Sequence, residues 1–371
     1  MTVILKFELG DHPIMLADTL LTVESNVDEE ISTPLREGIN TSLLRGRRFH
    51  VSMTRNKVHT FGNDAIIVWA GDYTACYKLI KMLNSYNCEN INQMALEKCL
   101  EQLSPDERGA ISVILMYRNK DDICVYHYKC QQIRVNTIRN TITCDGPLSG
   151  TMMQIINNLQ RNLSISHSGC AHLHFTAALI FSSESFGIEL STGSNVLDCW
   201  GGGIQIATLS STSAVTVTNI LYIFWTAIDR GDYFELKQRN IIIKQECADN
   251  TIRTRVIKID FENQKELDGS LHVMMGIIPN ELAANNISLP GLGYEWICTN
   301  ITINRQDGSK DYITFADAPK WGPGYYILSE EGDKLHQFIN HGYIKSIERL
   351  VLARTCKETK VILWGNNIVM Q

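Results

Sequence analysis

Short runs in which apolar and polar residues alternate dominate the first half of the chain and predict β-strands. Residues 2–9 alternate in this way, a Gly-Asp-His-Pro turn follows, and residues 14–17 predict a second strand, so the chain opens on a β-hairpin. Residues 58–61 and 65–69 predict another strand pair around a Gly-Asn-Asp turn. Further strands are predicted at 111–117, 123–128, 138–144, 176–181, 186–190 and 241–243.

Apolar residues at helical spacing predict helices between these strands. The clearest segment runs from Ala75 to Ser85, where Leu79, Ile80 and Leu83 would share one face. Other helices are predicted near 91–103, 151–162, 219–230 and 330–338. Strands and helices in this mixed order predict an α+β fold.

The pattern also divides the chain into a large and a small part. Residues 1–250 predict one domain, with a polar insertion at 23–50 and a second candidate insertion at 165–210. Residues 251–371 predict a C-terminal extension or a small α+β domain. The first insertion carries a basic cluster at 45–48, which is typical of a solvated loop face or of a surface for an acidic partner.

Composition narrows the class of protein. The chain has 371 residues, of which 44% are hydrophobic and 20% charged, and its net charge of −6 argues against nucleic-acid or membrane-surface binding. No apolar run reaches the roughly 18 residues that a membrane span needs, and the N-terminus shows no signal-type segment. The eleven cysteines form no Cys-x-x-Cys motif, so we expect free thiols and a cytoplasmic location.

Thr2 is the first residue with candidate chemistry. A small residue after the initiator methionine allows removal of Met1, and a free N-terminal threonine carries its own base, an α-amino group with a pKa near 7.7 to 8.0. Asp18 follows Thr2 by sixteen positions, and Lys57 precedes Gly71 by fourteen. Each residue alone has an ordinary structural explanation, but their order and spacing together indicate a site.

This constellation resembles that of proteasome β-subunits and the related HslV-type peptidases, which are N-terminal-nucleophile hydrolases. The resemblance implies a four-layer α/β/β/α sandwich, in which two stacked sheets lie between helix layers. The gap between Asp18 and Lys57 is longer than in the family, so residues 23–50 must loop out. Within the first 85 residues the resemblance rests on Thr2, Asp18, Thr22, Lys57, Trp69 and Gly71.

The resemblance implies a catalytic role for four of these residues. Thr2 would be the nucleophile, and the Lys57 ammonium would lower the pKa of its hydroxyl group. Asp18 would orient Lys57 and keep it charged. The backbone N–H of Gly71 would stabilise the oxyanion that forms during acyl transfer.

The resemblance also implies substrate-binding and supporting residues. Thr22 would contact the substrate, and Trp69 would either narrow the pocket for the residue before the cut or pack in the core. Ser149, at the head of a predicted helix, would bind the amino group of the nucleophile, and Asp232 would be the supporting aspartate of the second half. In a second alignment the glycines at 201–203 replace the Ser-Gly turn, and Ser149 is then not a site residue.

The function implied by the resemblance is amide hydrolysis through an acyl-enzyme, by a cytoplasmic threonine peptidase or amidase that needs no cofactor. A peptide or protein substrate, a homo-oligomer such as a ring, and an unfoldase or regulatory partner are expected, with no nucleic acid and no membrane. Two alternatives stay open: a non-catalytic scaffold or ring subunit with the same fold, and an amidase that acts on a small molecule.

A separate cluster of metal-ligand residue types lies at His167, Cys170, His172 and His174. Neutral imidazoles and thiolates bind zinc, but this spacing matches no closed tetrahedral pattern. Solvated loop and strand residues are the preferred interpretation, so no metal site is expected.

Overall fold

The structure is a computed structural model. It describes residues 3–9, 12–24, 31–39, 49–135, 140–145, 150–165, 173–198, 200–248, 250–260, 265–275, 277, 290–318, 326–331, 334–355, 360–363 and 369–370.

Both halves of the described chain are rich in strands. The strands are β1 (Ile4–Leu9), β2 (His12–Asp18), β3 (Leu20–Glu24), β4 (Ile31–Thr33), β5 (Arg36–Ile39), β6 (Phe49–Thr54), β7 (Val58–Phe61), β8 (Ala65–Gly71), β9 (Ile111–Asn119), β10 (Asp122–Tyr128), β11 (Gln131–Val135), β12 (Asn140–Asp145), β13 (Ile204–Leu209), β14 (Ala214–Thr216), β15 (Ile220–Asp229), β16 (Tyr233–Ala248), β17 (Thr251–Asp260), β18 (Lys265–Met274), β19 (Trp296–Asn304), β20 (Lys310–Asp317), β21 (Tyr326–Glu331), β22 (Lys334–Ile339), β23 (Lys360–Leu363) and β24 (Val369–Met370). The α-helices are α1 (Tyr73–Leu83), α2 (Gln93–Gln102), α3 (Pro105–Gly109), α4 (Gly150–Ile165), α5 (Leu173–Ser191), α6 (Ser194–Leu197) and α7 (His341–Thr355).

Two antiparallel sheets face each other in the N-terminal half. Sheet 1 has the strand order β11-β12-β1-β2-β13-β14, and sheet 2 has the order β10-β9-β8-β7. Successive side chains of a strand point to opposite faces of the sheet. The faces that meet are apolar, and Ile4, Met15, Val58 and Val68 are buried in one cluster between the two sheets.

Helices α1 and α2 cover the other face of sheet 2. Leu79 of α1 and Leu96 of α2 are buried in one cluster with Trp69 of β8. Helix α1 begins after Asp72, whose side chain accepts a hydrogen bond of 2.8 Å from the N–H of Ala75. Such a cap satisfies a backbone donor that the helix itself leaves unpaired.

Helix α5 lies on the other face of sheet 1 and is enclosed by protein. Phe7 and Leu16 of sheet 1 share a buried cluster with Phe181 of α5, and Tyr222 and Cys298 join this cluster from a third sheet. Because the helix meets protein on both sides, it is apolar around most of its circumference.

Sheet 3 forms the C-terminal half. Its strand order is β18-β17-β16-β15-β19-β20, with β23 beside β16, and the pairs β15–β19 and β16–β23 are parallel. A second buried cluster joins this sheet to α7 and to the small sheet β21-β22-β24, through residues such as Trp225, Ile301, Tyr326 and Ile347. No helix in the described part of the chain is long and apolar enough to cross a membrane.

The predicted α+β fold is confirmed, together with the opening hairpin, the β7–β8 pair and the helices that correspond to α1, α2 and α4. Other predicted elements are wrong. The strands predicted at 176–181 and 186–190 are both part of α5, and the helix predicted at 219–230 is the strand β15. These segments are buried on all sides, so they lack the polar positions that distinguish the two periodicities. The helix predicted at 330–338 is the β21–β22 hairpin.

The paired strands can be compared with the predicted domain and insertion boundaries. Strands β16 and β17 pair with each other, so the boundary predicted after residue 250 falls between two neighbouring strands of one sheet. The segment predicted as an insertion at 165–210 contains α5 and β13, which lie in the central layers. The insertion predicted at 23–50 begins and ends within the paired strands β3 and β6, and β4 pairs with β5 inside it.

Candidate active site

A fully buried ion pair joins the end of β2 to the start of β7. Asp18 is the last residue of β2, and Lys57 immediately precedes β7. The Nζ atom of Lys57 lies 2.7 Å from Oδ1 of Asp18, and neither side chain has any solvent exposure. Lys57 also donates a hydrogen bond to the carbonyl oxygen of Leu20.

Backbone donors from two distant segments bind the remaining lone pairs of Asp18. The N–H of Val3 donates to Oδ1 at 3.0 Å, and the N–H of Gly201 donates to Oδ2 at 3.1 Å. The N–H of Asp18 returns a hydrogen bond of 3.1 Å to the carbonyl oxygen of Val3. Asp18 therefore ties the first described residue of the chain to Lys57 and to the segment that precedes β13.

Burial pushes both members of the pair towards their neutral forms. Burial raises the pKa of Asp18, and the charge of Lys57 together with the hydrogen bonds to the carboxylate offsets only part of this effect. Burial likewise lowers the pKa of Lys57, against the attraction of Asp18. The mutual attraction of the two groups therefore acts against the desolvation cost of both charges.

Glycines shape the segment that contacts Asp18. Gly201 has a φ of +125°, and a Cβ atom there would lie 2.6 Å from Nδ2 of Asn195. The N–H of Gly202 donates to Oε2 of Glu189 at 3.0 Å, and Glu189 is fully buried on α5. The glycines at 201–203 entered the sequence-based prediction only through the second alignment, and Glu189 was not predicted. The signal for Glu189 was a carboxylate within an apolar run, because a buried charge needs partners.

Trp69 and Gly71 lie on β8, the strand that pairs with β7. The N–H of Trp69 donates to the carbonyl oxygen of Lys57 at 3.2 Å, and the Trp69 side chain is fully buried with an edge-to-face contact to Tyr73. Gly71 is exposed at the end of β8, two residues or about 7 Å further along the strand. With a φ of +99° and a hypothetical Cβ only 2.0 Å from the carbonyl oxygen of Ala110, Gly71 has no room for a side chain.

Several predicted site residues fall elsewhere or outside the description. Thr2 and Ser149 lie outside the described residues, and only the backbone of Thr22, in β3, is described. The metal-ligand types at 167–172 also lie outside them, while His174 is buried on α5. Within the described ranges no group of three or more His, Cys, Asp and Glu residues is arranged to hold a metal ion.

The structure does not bring Asp232 to the ion pair. Ile204 pairs with Asp18, and its carbonyl oxygen accepts a hydrogen bond of 3.0 Å from Gln245, which pairs with Ile220 at the start of β15. Asp232 is exposed in the turn beyond the far end of β15. At about 3.3 Å per residue, the length of this strand places it roughly 30 Å from Asp18. Asp232 was misplaced in the prediction because residues 219–230 were expected to form a helix and instead form the strand β15.

Comparisons with known proteins give a partial likeness in fold. No family model and no curated protein matches the chain. Among solved structures, Anbu (ancestral beta-subunit) from Yersinia bercovieri is 12% identical with a TM-score of 0.35, over 58% of this chain and 85% of that one. The eukaryotic HslV from Trypanosoma brucei is 13% identical with a TM-score of 0.31, over 56% and 99%. An Anbu Gly-1 mutant from Hyphomicrobium sp. strain MC1 is 11% identical with a TM-score of 0.34, over 58% and 85%. Function is therefore inferred from the site residues.

Proposed function

We propose that the chain is an N-terminal-nucleophile hydrolase of proteasome-like type, in which Thr2 becomes the nucleophile once Met1 is removed. The observation that carries the proposal is the buried Lys57–Asp18 pair, hydrogen-bonded to the N–H of Val3 at 3.0 Å. Thr2 is covalently bonded to that nitrogen, so its hydroxyl group is only a few bonds away from an atom that Asp18 holds.

The proposed reaction is acyl transfer from an amide. The Oγ1 atom of Thr2 attacks the carbonyl carbon, and its proton passes to the free α-amino group. The tetrahedral oxyanion collapses, the C–N bond breaks, and the amine leaves with the proton, so that an ester remains on Thr2. Water then hydrolyses the ester and restores the hydroxyl group. Lys57 favours the ionised hydroxyl oxygen electrostatically, while Asp18 orients Lys57.

The N–H of Gly71 is the proposed oxyanion donor. Removing such a donor typically costs about 3 to 4 kcal/mol of transition-state stabilisation. The close approach of the Gly71 backbone to Ala110 supports the assignment, because it keeps this end of β8 free of a side chain.

The order of packed layers supports a four-layer sandwich of the type that this nucleophile uses. Helices α1 and α2 pack on sheet 2, sheet 2 packs on sheet 1, and sheet 1 packs on α5. Sheet 3 is then an addition on the outer side of α5. A cytoplasmic location, a homo-oligomer, an unfoldase or regulatory partner and a supporting role for Ser149 remain proposals by resemblance.

An amidase for small molecules is the second candidate. The observation in its favour is that Trp69 is fully buried in an apolar cluster beside Lys57, which leaves little room for a large side chain of a substrate. A peptide substrate and a small-molecule amide would undergo the same chemistry at Thr2.

The decisive experiment compares Thr2→Ala with Thr212→Ala, which removes an exposed threonine in the turn after β13. We expect Thr2→Ala to lower the hydrolysis rate of a panel of fluorogenic peptide and acyl amides by about 10³-fold or more, and Thr212→Ala to leave it unchanged. Intact-mass spectrometry of the wild type should show loss of Met1. Equal turnover by Thr2→Ala would rule out the mechanism, and an inactive wild type with retained Met1 would favour the non-catalytic scaffold.

A further inference from the structure

A segment from the C-terminal half lies against the residue that precedes Lys57. The N–H of Asn56 donates to the carbonyl oxygen of Met275 at 3.0 Å, and Met275 directly follows β18 of sheet 3. The Asn56 side chain is fully buried and donates to the carbonyl oxygen of Asn250 at 2.6 Å. Its Oδ1 atom accepts a hydrogen bond of 2.8 Å from Val58. The turn between β16 and β17 and the segment after β18 are therefore both hydrogen-bonded to the start of β7.

Ile277 follows two residues after Met275 and is fully buried in the N-terminal half. It belongs to the apolar cluster that contains Leu21 and Trp69, together with residues of α1 and α2. The hydroxyl group of Tyr73, on α1, donates to the carbonyl oxygen of Ile277 at 3.5 Å. Among the described residues, Ile277 is the contribution of the C-terminal half to this cluster.

This apolar cluster borders the ion pair. Lys57 is opposite Trp69 in the β7–β8 register, and residues directly opposite each other on antiparallel strands have side chains on the same face. Leu21 follows Leu20, whose carbonyl oxygen accepts a hydrogen bond from Lys57. Tyr73, which donates to Ile277 and contacts the Trp69 ring edge-to-face, therefore links Ile277 to the residue opposite Lys57.

We infer that Ile277 is a specificity-determining residue, which fills the apolar space beside Lys57 and restricts the acyl side of the cleaved bond to glycine- or alanine-sized groups. This inference rests on the proposed function, because it names the substrate class of the same site. Apolar space in a protein interior binds apolar groups when the side chain that fills it is shortened. Ile277→Ala should therefore open a pocket for a leucine side chain.

The test compares Ile277→Ala with Ile347→Ala, which shortens an equally buried isoleucine on α7, in the other half of the molecule. Two fluorogenic amides are used, acetyl-Ala-Ala-Ala and acetyl-Ala-Ala-Leu, each with an aminocoumarin leaving group. We expect Ile277→Ala to raise the Leu/Ala ratio of kcat/KM at least tenfold and Ile347→Ala to leave it at the wild-type value. If an active Ile277→Ala enzyme keeps the wild-type ratio, the inference fails while the proposed function stands.

A binding measurement separates the pocket from the chemistry. In the Thr2→Ala background, isothermal titration calorimetry with acetyl-Ala-Ala-Leu and acetyl-Ala-Ala-Ala as free acids should show an affinity ratio at least tenfold higher when Ile277→Ala is added. If this shift is seen while the protein with Thr2 intact cleaves neither amide, the proposed function is overturned and the pocket is supported. Where Ile277→Ala does not fold, Ile277→Val takes its place, with a smaller change in the same direction expected and an unchanged ratio counting against the inference.

Discussion

Asp18 and Asp311 each pair with a basic side chain, yet the pKa values of the two carboxylates are shifted in opposite directions. The Asp18–Lys57 pair is fully buried at 2.7 Å, whereas Asp311 and Arg354 retain 22% and 11% exposure at 2.9 Å. Burial raises the pKa of Asp18 above its usual value. Burial also raises the pKa of Asp311, but hydrogen bonds from Arg354 and from the Tyr312 N–H outweigh it, and this pKa lies below its usual value.

The difference lies in geometry and access to water. Arg354 binds both carboxylate oxygens of Asp311 through Nε and Nη2, at 2.9 and 3.0 Å, and so ties α7 to β20. Such bidentate pairing favours the ionised carboxylate at the protein surface. Asp18 pairs with a single lysine, and neither side chain is exposed to solvent. Each charge in this pair therefore carries a desolvation cost. Perturbed carboxylates and lysines of this kind cluster at functional sites, so the contrast supports the catalytic role proposed for the Asp18–Lys57 pair.

The largest expected effect comes from breaking the buried pair. Asp18→Asn leaves Lys57 buried without a counter-charge, which should lower the free energy of unfolding at pH 7 by about 3 to 5 kcal/mol. Urea unfolding followed by circular dichroism measures this loss, and hydrolysis of the fluorogenic amides should disappear with it. A loss below about 1 kcal/mol would contradict the assignment of a charged Lys57 to this site.

A smaller effect on stability is expected from the titration of His59 on β7, a buried base whose Nε2 atom lies 3.4 Å from Oδ1 of Asn84. Burial lowers the pKa of His59 to about 4 from 6.5. The unfolded chain therefore takes up a proton first as the pH falls, and stability is lost between pH 6.5 and 4. Linkage over this interval predicts a loss of about 2 kcal/mol between pH 7.5 and 5.

The measurement for His59 is urea unfolding of the wild type and of His59→Gln across that pH range. The variant lacks the titrating group, so it should lose about 2 kcal/mol less than the wild type between pH 7.5 and 5. Parallel curves for the two proteins would show that His59 titrates normally in the folded state.

The smallest effect is expected at the partly exposed pair of Asp311 and Arg354. Asp311→Asn should cost about 1 kcal/mol of unfolding free energy, because water screens the charges and can replace the lost partner. The difference from the wild type should shrink in 1 M salt, where the Debye length is about 3 Å. If Asp311→Asn costs as much as Asp18→Asn, the two pairs do not differ in the way that their burial indicates.

Local patterns were enough to predict helices with one apolar face and short strands bounded by turns. Helices α1 and α2 alternate between polar and apolar positions, because one side of each lies away from the core. The opening hairpin and the β7–β8 pair are buried on both faces, but turn residues bound their short apolar runs. Helix α5 was predicted as two strands and strand β15 as a helix, because both elements are buried on nearly every side and carry no such alternation. That error also produced the wrong location for Asp232.

The sequence by itself determined the residue types of the candidate site: a threonine at position 2, then Asp18, Lys57 and Gly71 at spacings that suit two adjacent hairpins. Only the tertiary structure decided which other residues join them. The Gly201 N–H donates to Asp18 although 183 positions of the chain separate them, and Ile277, between β18 and β19, is buried in one cluster with Trp69 of β8. Such contacts depend on how the layers pack against each other. The periodicity of a single segment does not indicate which layer a distant residue contacts.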